Sequence, residues 1–445
     1  MRLSTLLVIG FIGFAVSAAP AQDPVSLERT LARTAPDVIK HLKDKGYQNV
    51  GVLKFLVVKG DDQKLSDNAG TLNRTVARQL EMGLILANDP LKPIGIIDDA
   101  SSVAAKTPGA NHLSKEGRLK LFEPSYPLAW GKEDVMADAF VTGIIGISPD
   151  LKTLSVQLLA FDAKTNKLEP LGKELVAKND SRKLSEIGES FSRGAFDDGN
   201  IETKRDPKDL AKHEQQVLDH AAQVKKEEAK NPVLEDNTPI RLEVLYDDKV
   251  IPFEIKGGKA FIPEPAEGQK VTLRVKHAAK SGIFGCVVKV NGENTLFRER
   301  FPDLQCRKWL VFPENKAGID IIGFQKNDTT TEQFRVLSKA ESKAREIDYG
   351  ADVGTITLTV FRDRKGMPPV GELGKEAEIT KVLQDAHPPE NKPMNFHALT
   401  ARMLDDANRG LIGEGNTVGS EIKQVEFKSD PIPVMCLTVV YYKKQ

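Results

Sequence analysis

Two hydrophobic spacings organise the chain. In 69–89, Leu72, Val76, Leu80, Leu84 and Ala87 recur at steps of three and four, which lines them along one stripe of a helix. In 153–162, Leu154, Val156, Leu158 and Ala160 alternate with Thr153, Ser155 and Gln157, the period-two mark of a strand with unlike faces.

These two periods predict an ordered series over 22–196. A helix lies in 22–48, with Pro36 at its start and Gly46 as its stop. A strand follows at 49–58, apolar on both faces and therefore central in its sheet. Next come a helix in 69–89, capped by Asp67 or Asn68, and a buried strand at 93–98. Weaker helical patterns occupy 112–121 and 130–137. A long hairpin covers 138–162, turning at Ser148-Pro149-Asp150, and a capped helix falls in 179–196. Such a series buries one sheet against helices, an α/β layer.

The pattern changes twice more. Residues 197–238 read as a charged helical linker, with Asp206 as cap and Pro207 in the first turn. Its apolar stripe of Leu210, Val217, Leu218, Ala221 and Val224 is thin, as in a spacer lying along a domain surface. From 239 to 361 short alternating segments are separated by Gly, Pro, Asn and Asp turns, which predicts a β-sandwich. The segment "IPVMCLTVVYYKK" returns to complete it after an insertion at 362–428. The expected fold class is α+β: an α/β layered domain at 22–196, the linker at 197–238, and a sandwich over 239–445.

The first residues carry an export signal. Arg2 precedes an apolar run from Leu3 to Val16, and Ala19-Pro20-Ala21 supplies small residues for cleavage, giving a signal peptide at 1–21. That run is shorter than the roughly 20 residues of a membrane span. No later run approaches that length, and no cysteine precedes Cys286 to accept a lipid near the cleavage point. The expected location is periplasmic or extracellular, with no membrane span after signal cleavage.

Charge narrows the partners. The chain has 63 basic and 63 acidic residues without a basic stripe, whereas nucleic acid binding relies on a concentrated positive face. Three cysteines occur, Cys286, Cys306 and Cys436. An oxidising compartment allows a Cys286–Cys306 disulfide, whose loop closure contributes about 3 kcal/mol. Spacing does not fix the pairing, and any pair leaves one thiol over.

A search for chemistry finds little. "HEQQV" at 213–217 lacks the second histidine of a metalloprotease helix, and His220 lies two turns beyond His213. Both read as exposed linker histidines. No nucleophile elbow or phosphate loop is present, and "SEIK" at 420–423 stands without its companion motifs. Adjacent acids such as Asp61-Asp62 and Asp405-Asp406 read as solvated turns. No catalytic, cofactor-binding or metal-ligating residue is expected.

Residues 49–195 resemble the N-terminal module of the curli-assembly (CsgG-like) family and its flagellar-assembly relatives. The likeness rests on "NVGVLKF", "LNRTVARQLEMGLI", "IGIIDDA" and above all "ADAFVTGIIG". The stretches "RVKHAAKSGIFGCVVKVNGENTLFRERFPD" and "KWLVFPENKAGIDIIGFQ" resemble a bacterial domain of unknown function found beside such modules. The resemblance implies an envelope assembly or secretion protein without catalytic residues. The expectation is therefore a secreted, non-enzymatic bacterial protein of the cell envelope, working by docking, scaffolding or self-association. The alternative is a glycan- or peptide-binding module acting through the sandwich loops; the small-molecule ligand, if any, is not specified by the sequence.

Overall fold

The computed structural model describes residues 25–59, 65–66, 71–192, 207–327, 329–336, 352, 354–363, 379–380, 382–384, 395–400, 403, 427–430 and 432–441. The signal segment 1–21, the expected caps Asp67, Asn68 and Asp206, and most of 362–428 lie outside these residues. The fold is mixed α+β.

Helix α1 spans Leu27–Asp44, and the Ser26 hydroxyl caps it by accepting from Arg29 N at 3.3 Å. Pro36 lies inside this helix and does not start it. A proline there removes one backbone bond, and the fully buried Leu27, Leu31, Ala35 and Leu42 offset the loss. Helix α2, Leu72–Ala87, follows the predicted stripe.

Strands β1 (Asn49–Val52), β2 (Leu56–Lys59), β3 (Gly95–Ile96), β4 (Ala139–Ile147), β5 (Thr153–Asp162) and β6 (Leu175–Lys178) form one sheet in the order β6-β5-β4-β1-β3. The predicted 49–58 strand is thus interrupted, both halves pairing in parallel with β4. At the break Asn73 donates to the Phe55 carbonyl at 2.5 Å and Lys54 N donates to the Ser101 hydroxyl at 2.7 Å. Gly143 faces the Phe55 ring so closely that a Cβ there would collide with it. The 138–162 hairpin forms as expected, Ala139 opposite Asp162 and Ile147 opposite Leu154.

Both faces of this sheet are covered. Helices α1 and α2 pack on one. The other carries Phe140, Phe161 and Tyr126, with Phe122 edge-on to Phe161 at 5.8 Å, near helices α3 (Ala100–Lys106) and α4 (Lys115–Lys120). The helical pattern at 130–137 does not become a helix: Asp134–Val135 instead pairs with Tyr126–Pro127.

Helix α5, Ser181–Glu186, ends early, and strand β7 (Phe191–Ser192) follows it. Helix α6 spans Pro207–Lys226. Its stripe is thin, yet Val217, Leu218, Ala221 and Val224 are all buried. The segment is therefore a brace built into the first core.

The sandwich has two sheets. Strands β8 (Ile240–Tyr246), β10 (Val271–His277) and β13 (Ile319–Ile321) make one, with the short Lys249–Val250 strand at its edge. Strands β9 (Lys259–Phe261), β11 (Phe284–Val290), β12 (Trp309–Val311), β14 (Thr355–Arg362) and β15 (Met435–Val440) belong to the other. Inward residues such as Leu273, Val275, Val288, Leu358 and Leu437 form its core. Strand β15 lies inside its sheet, between β14 and β9. Phe191 of β7 pairs with Cys436 on the same side of β15 as β9. The first module thus supplies a strand to the second. From the 362–428 region, Leu383, Phe396 and Leu399 pack into the first core, Phe396 lying 4.9 Å from Trp130.

Candidate functional site

Two places on the molecule gather side chains that packing alone does not account for. The first is a slot at one end of the sandwich, about 260 Å³ in volume. Its floor comes from both sheets: Ile240 and Leu242 from β8, Met435 and Leu437 from β15. Leu234 and Val250 line it while each leaves about half of its surface exposed, 53% and 52%.

Local geometry fixes the walls. Asn231 is fully buried, donates to the Gly258 carbonyl at 3.0 Å and accepts from Val233 N at 3.1 Å. Leu234 N returns to the Asn231 carbonyl at 2.8 Å. The opposite wall follows a tight turn at Asp247 and Asp248, with φ of 49° and 63°, the left-handed pair of a two-residue hairpin loop. After it, Ile251 N bonds the Val244 carbonyl at 2.8 Å, carrying the chain past the slot mouth. Charged residues flank the mouth: Arg241 approaches Asp236 at 3.5 Å, and Glu243 accepts from Lys276 at 2.6 Å.

The second place is the junction between the α/β module and the sandwich. Lys183 of α5 donates to Glu28 of α1 and, at 2.9 Å, to Asp180. Gln79 of α2 also donates to Glu28, at 3.3 Å. Ser181 donates through N and Oγ to Glu214 of α6, at 2.9 and 3.0 Å. From the sandwich side, Asp303 accepts from Ser185 at 3.2 Å and from Thr359 at 2.5 Å, and pairs with Lys289 at 2.7 Å.

Electrostatics orders these groups. Burial works against the Lys183 ammonium, but Asp180 and Glu28 outweigh it and raise its pKa. Burial likewise opposes the Asp180 carboxylate, yet Lys183 and Arg182 pull it down to about 2. Glu186 goes the other way: burial first, then Asp180 and Glu28, push it up to about 7 against Lys183 and Arg182. Glu214 is also raised, by burial and by Asp180.

The cysteines do not form the expected bridge. Cys286, Cys306 and Cys436 are free and buried. Strand alternation explains why: Cys286 points into the sandwich core, whereas Cys306 packs with Val287 and Phe361 on the opposite face of β11. Burial drives all three thiols up, Cys306 to about 11 and Cys436 to about 12, so they are poor nucleophiles. His220 is not an exposed linker residue. Its Nδ1 accepts from Ser192 N at 3.2 Å and its Nε2 meets Glu235 at 2.8 Å, tying α6 to β7 and to the slot wall. The side chain of His213 lies outside the described residues.

Among the described residues, no group of His, Cys, Asp and Glu is placed to hold a metal ion, and no helix is long and apolar enough to cross a membrane. Sequence reasoning missed both the slot and the junction. Their residues come from distant segments, and no local motif joins Leu234 to Met435 or Glu28 to Lys183.

No family model and no curated protein matches the chain. Among solved structures, the NMR structure of E. coli LpoB is similar at 12% identity, covering 40% of this chain and 84% of that one, with a TM-score of 0.23.

Proposed function

We propose that the chain is an exported, non-enzymatic protein of the bacterial cell envelope that works by docking a protein partner, and that the sandwich slot is where the partner enters. The observation that carries this reading is the slot itself: a cavity over buried apolar residues, with Leu234 and Val250 half exposed beside it. The Lys249–Val250 strand lies at the edge of its sheet. An extended segment can pair with such an edge while seating an apolar side chain in an adjacent pocket. The resemblance of 49–195 to envelope-assembly modules supports the same reading.

A peptide suits the slot because its backbone can pair with the strand edge while an apolar side chain fills the space beside the buried apolar residues. A photo-crosslinking residue placed at Leu234 or Val250 in the full chain, in envelope preparations, is expected to trap a protein of defined mass. The same residue at Leu91, which is 93% exposed on the other module, is expected to trap none. Equal labelling from all three positions, or none from the slot, overturns the docking reading.

A further inference from the structure

The slot follows a strand that runs out of partners. On one side β8 pairs with β10 along its whole length, from Ile240 opposite His277 to Tyr246 opposite Val271. On the other side it pairs only near its end: Tyr246 stands opposite Lys249, Leu245 opposite Val250, and Ile251 N reaches the Val244 carbonyl at 2.8 Å. Pro252 follows, and the chain crosses to the second sheet, where Glu254–Lys256 pairs with β9. Among the described residues no strand takes its place against Ile240 to Glu243, and those residues line the slot.

Register fixes what that bare edge offers. In an antiparallel strand the N–H and C=O of one residue point to the same side, and successive residues alternate sides. The Val244 carbonyl faces the hairpin, since it accepts from Ile251. Two residues back, the N–H and C=O of Leu242 therefore face the slot. A continued hairpin would set Phe253 opposite Leu242, but Pro252 and the crossing chain leave that position open. Side chains add a charge pattern. Leu242 points into the sandwich core with Leu437 and Met435, whereas Arg241 and Glu243 project from the other face. There Glu243 already meets Lys276 at 2.6 Å and Arg274 at 3.9 Å. Arg241 stands opposite Lys276, a like charge. Its acidic neighbour Asp236, 3.5 Å away, is 98% exposed, so water screens that pair. An acid added across the bare edge from Arg241 gains a cross-strand partner.

We infer that the slot takes an extended segment of a partner protein as an added strand of this sheet, antiparallel to β8, with an apolar residue opposite Leu242 and an acidic residue directly after it, opposite Arg241. The inference rests on the docking reading above and specifies the chemistry of the segment. Antiparallel addition continues the line of Lys249 to Ile251 and matches the rest of the sheet, where β8 with β10 and β10 with β13 are antiparallel. The guest residue opposite Leu242 exchanges two backbone hydrogen bonds with it. Its side chain enters the cavity over Met435 and Leu437, because directly opposed residues point to the same face.

The test titrates the full chain, followed by NMR, with a capped pentapeptide carrying lysine, leucine and aspartate in that order between two threonines. At saturation, hydrogen exchange at the Leu242 amide is expected to slow by about tenfold, the effect of one net hydrogen bond. Methylating the peptide's leucine nitrogen removes the donor to the Leu242 carbonyl and is expected to weaken binding by about tenfold. Replacing the peptide's aspartate with lysine is expected to weaken it by about threefold, and Arg241→Glu, at a half-exposed side chain, to restore it. Binding that survives methylation with exchange at Leu242 unchanged is side-chain contact alone; it overturns strand addition and leaves the docking reading standing. No binding by the peptide also overturns strand addition, and crosslinking from Leu234 and Val250 then decides the docking reading separately.

Discussion

Phe191 stands opposite Cys436 in antiparallel register, so the last strand of the α/β module is hydrogen-bonded into the sheet of the sandwich. Both side chains are buried and belong to the first module's core. The two modules therefore share backbone hydrogen bonds as well as side-chain packing, and their stabilities are coupled.

Replacing Phe191 with Ala removes a fully buried ring and is expected to destabilise the protein by about 3–5 kcal/mol. Calorimetry checks the coupling. Module-specific probes should show one transition shifting together; a shift confined to either module would disprove the shared strand.

Lys183→Met leaves Glu28 and Asp180 without their ammonium partner in a buried site. Loss of one member of a buried pair costs about 3–5 kcal/mol, so chemical denaturation should show a large fall in midpoint. Lys40 pairs with Asp44 on an exposed helix face, and Lys40→Ala is expected to leave the midpoint unchanged, because water and salt screen such a pair.

Thiol chemistry follows from burial. Native protein is expected to react with a disulfide-exchange reagent at none of its cysteines, and denatured protein at all three without prior reduction. A thiol count below three in denaturant would mean that a bridge exists.

The Glu81 carboxyl makes stability depend on pH. Glu81 on α2 is buried, paired with Arg78 and accepting from Asp99 N at 3.3 Å. Burial pushes its pKa from 4.5 up to about 8, with Arg78 opposing and Asp98 and Asp99 adding. Its folded value lies above its unfolded value, so the folded state holds the extra proton between them. That contribution is fully present below pH 4.5 and lost as pH rises through 8. Denaturation across this window should show stability falling with pH, and Glu81→Gln should flatten the slope. An unchanged slope in the variant would assign the effect to another group.

Much of the architecture was readable in the spacing of apolar residues. The 138–162 hairpin and helix α2 have long, regular periods, and both form as their patterns indicate. The strand at 191–192 was not readable. It is two residues long and exists because Met435 and Cys436 pair with it from far along the chain. Helix α6 was read as a spacer because its stripe is narrow, but a narrow stripe suffices where two modules close on the same helix. Glu28 and Lys183 look like ordinary solvated charges in sequence. Only the approach of α5 to α1 makes them a buried pair, so the junction cluster had no local signature. Pro36 misled for a related reason: it reads locally as a helix start, but tertiary burial along α1 carries the helix through it.

The placement of β15 constrains how the molecule is made. Residues 435–440 lie inside the sheet, beside β14, β9 and β7, yet they emerge from the ribosome after all of those partners. Until they arrive, β9 and β7 have no central strand to join. The sandwich is thus assembled through contacts of very long sequence separation, which form slowly. The sheet therefore stays open on one side until the last segment of the chain is available, whatever order its other strands form in.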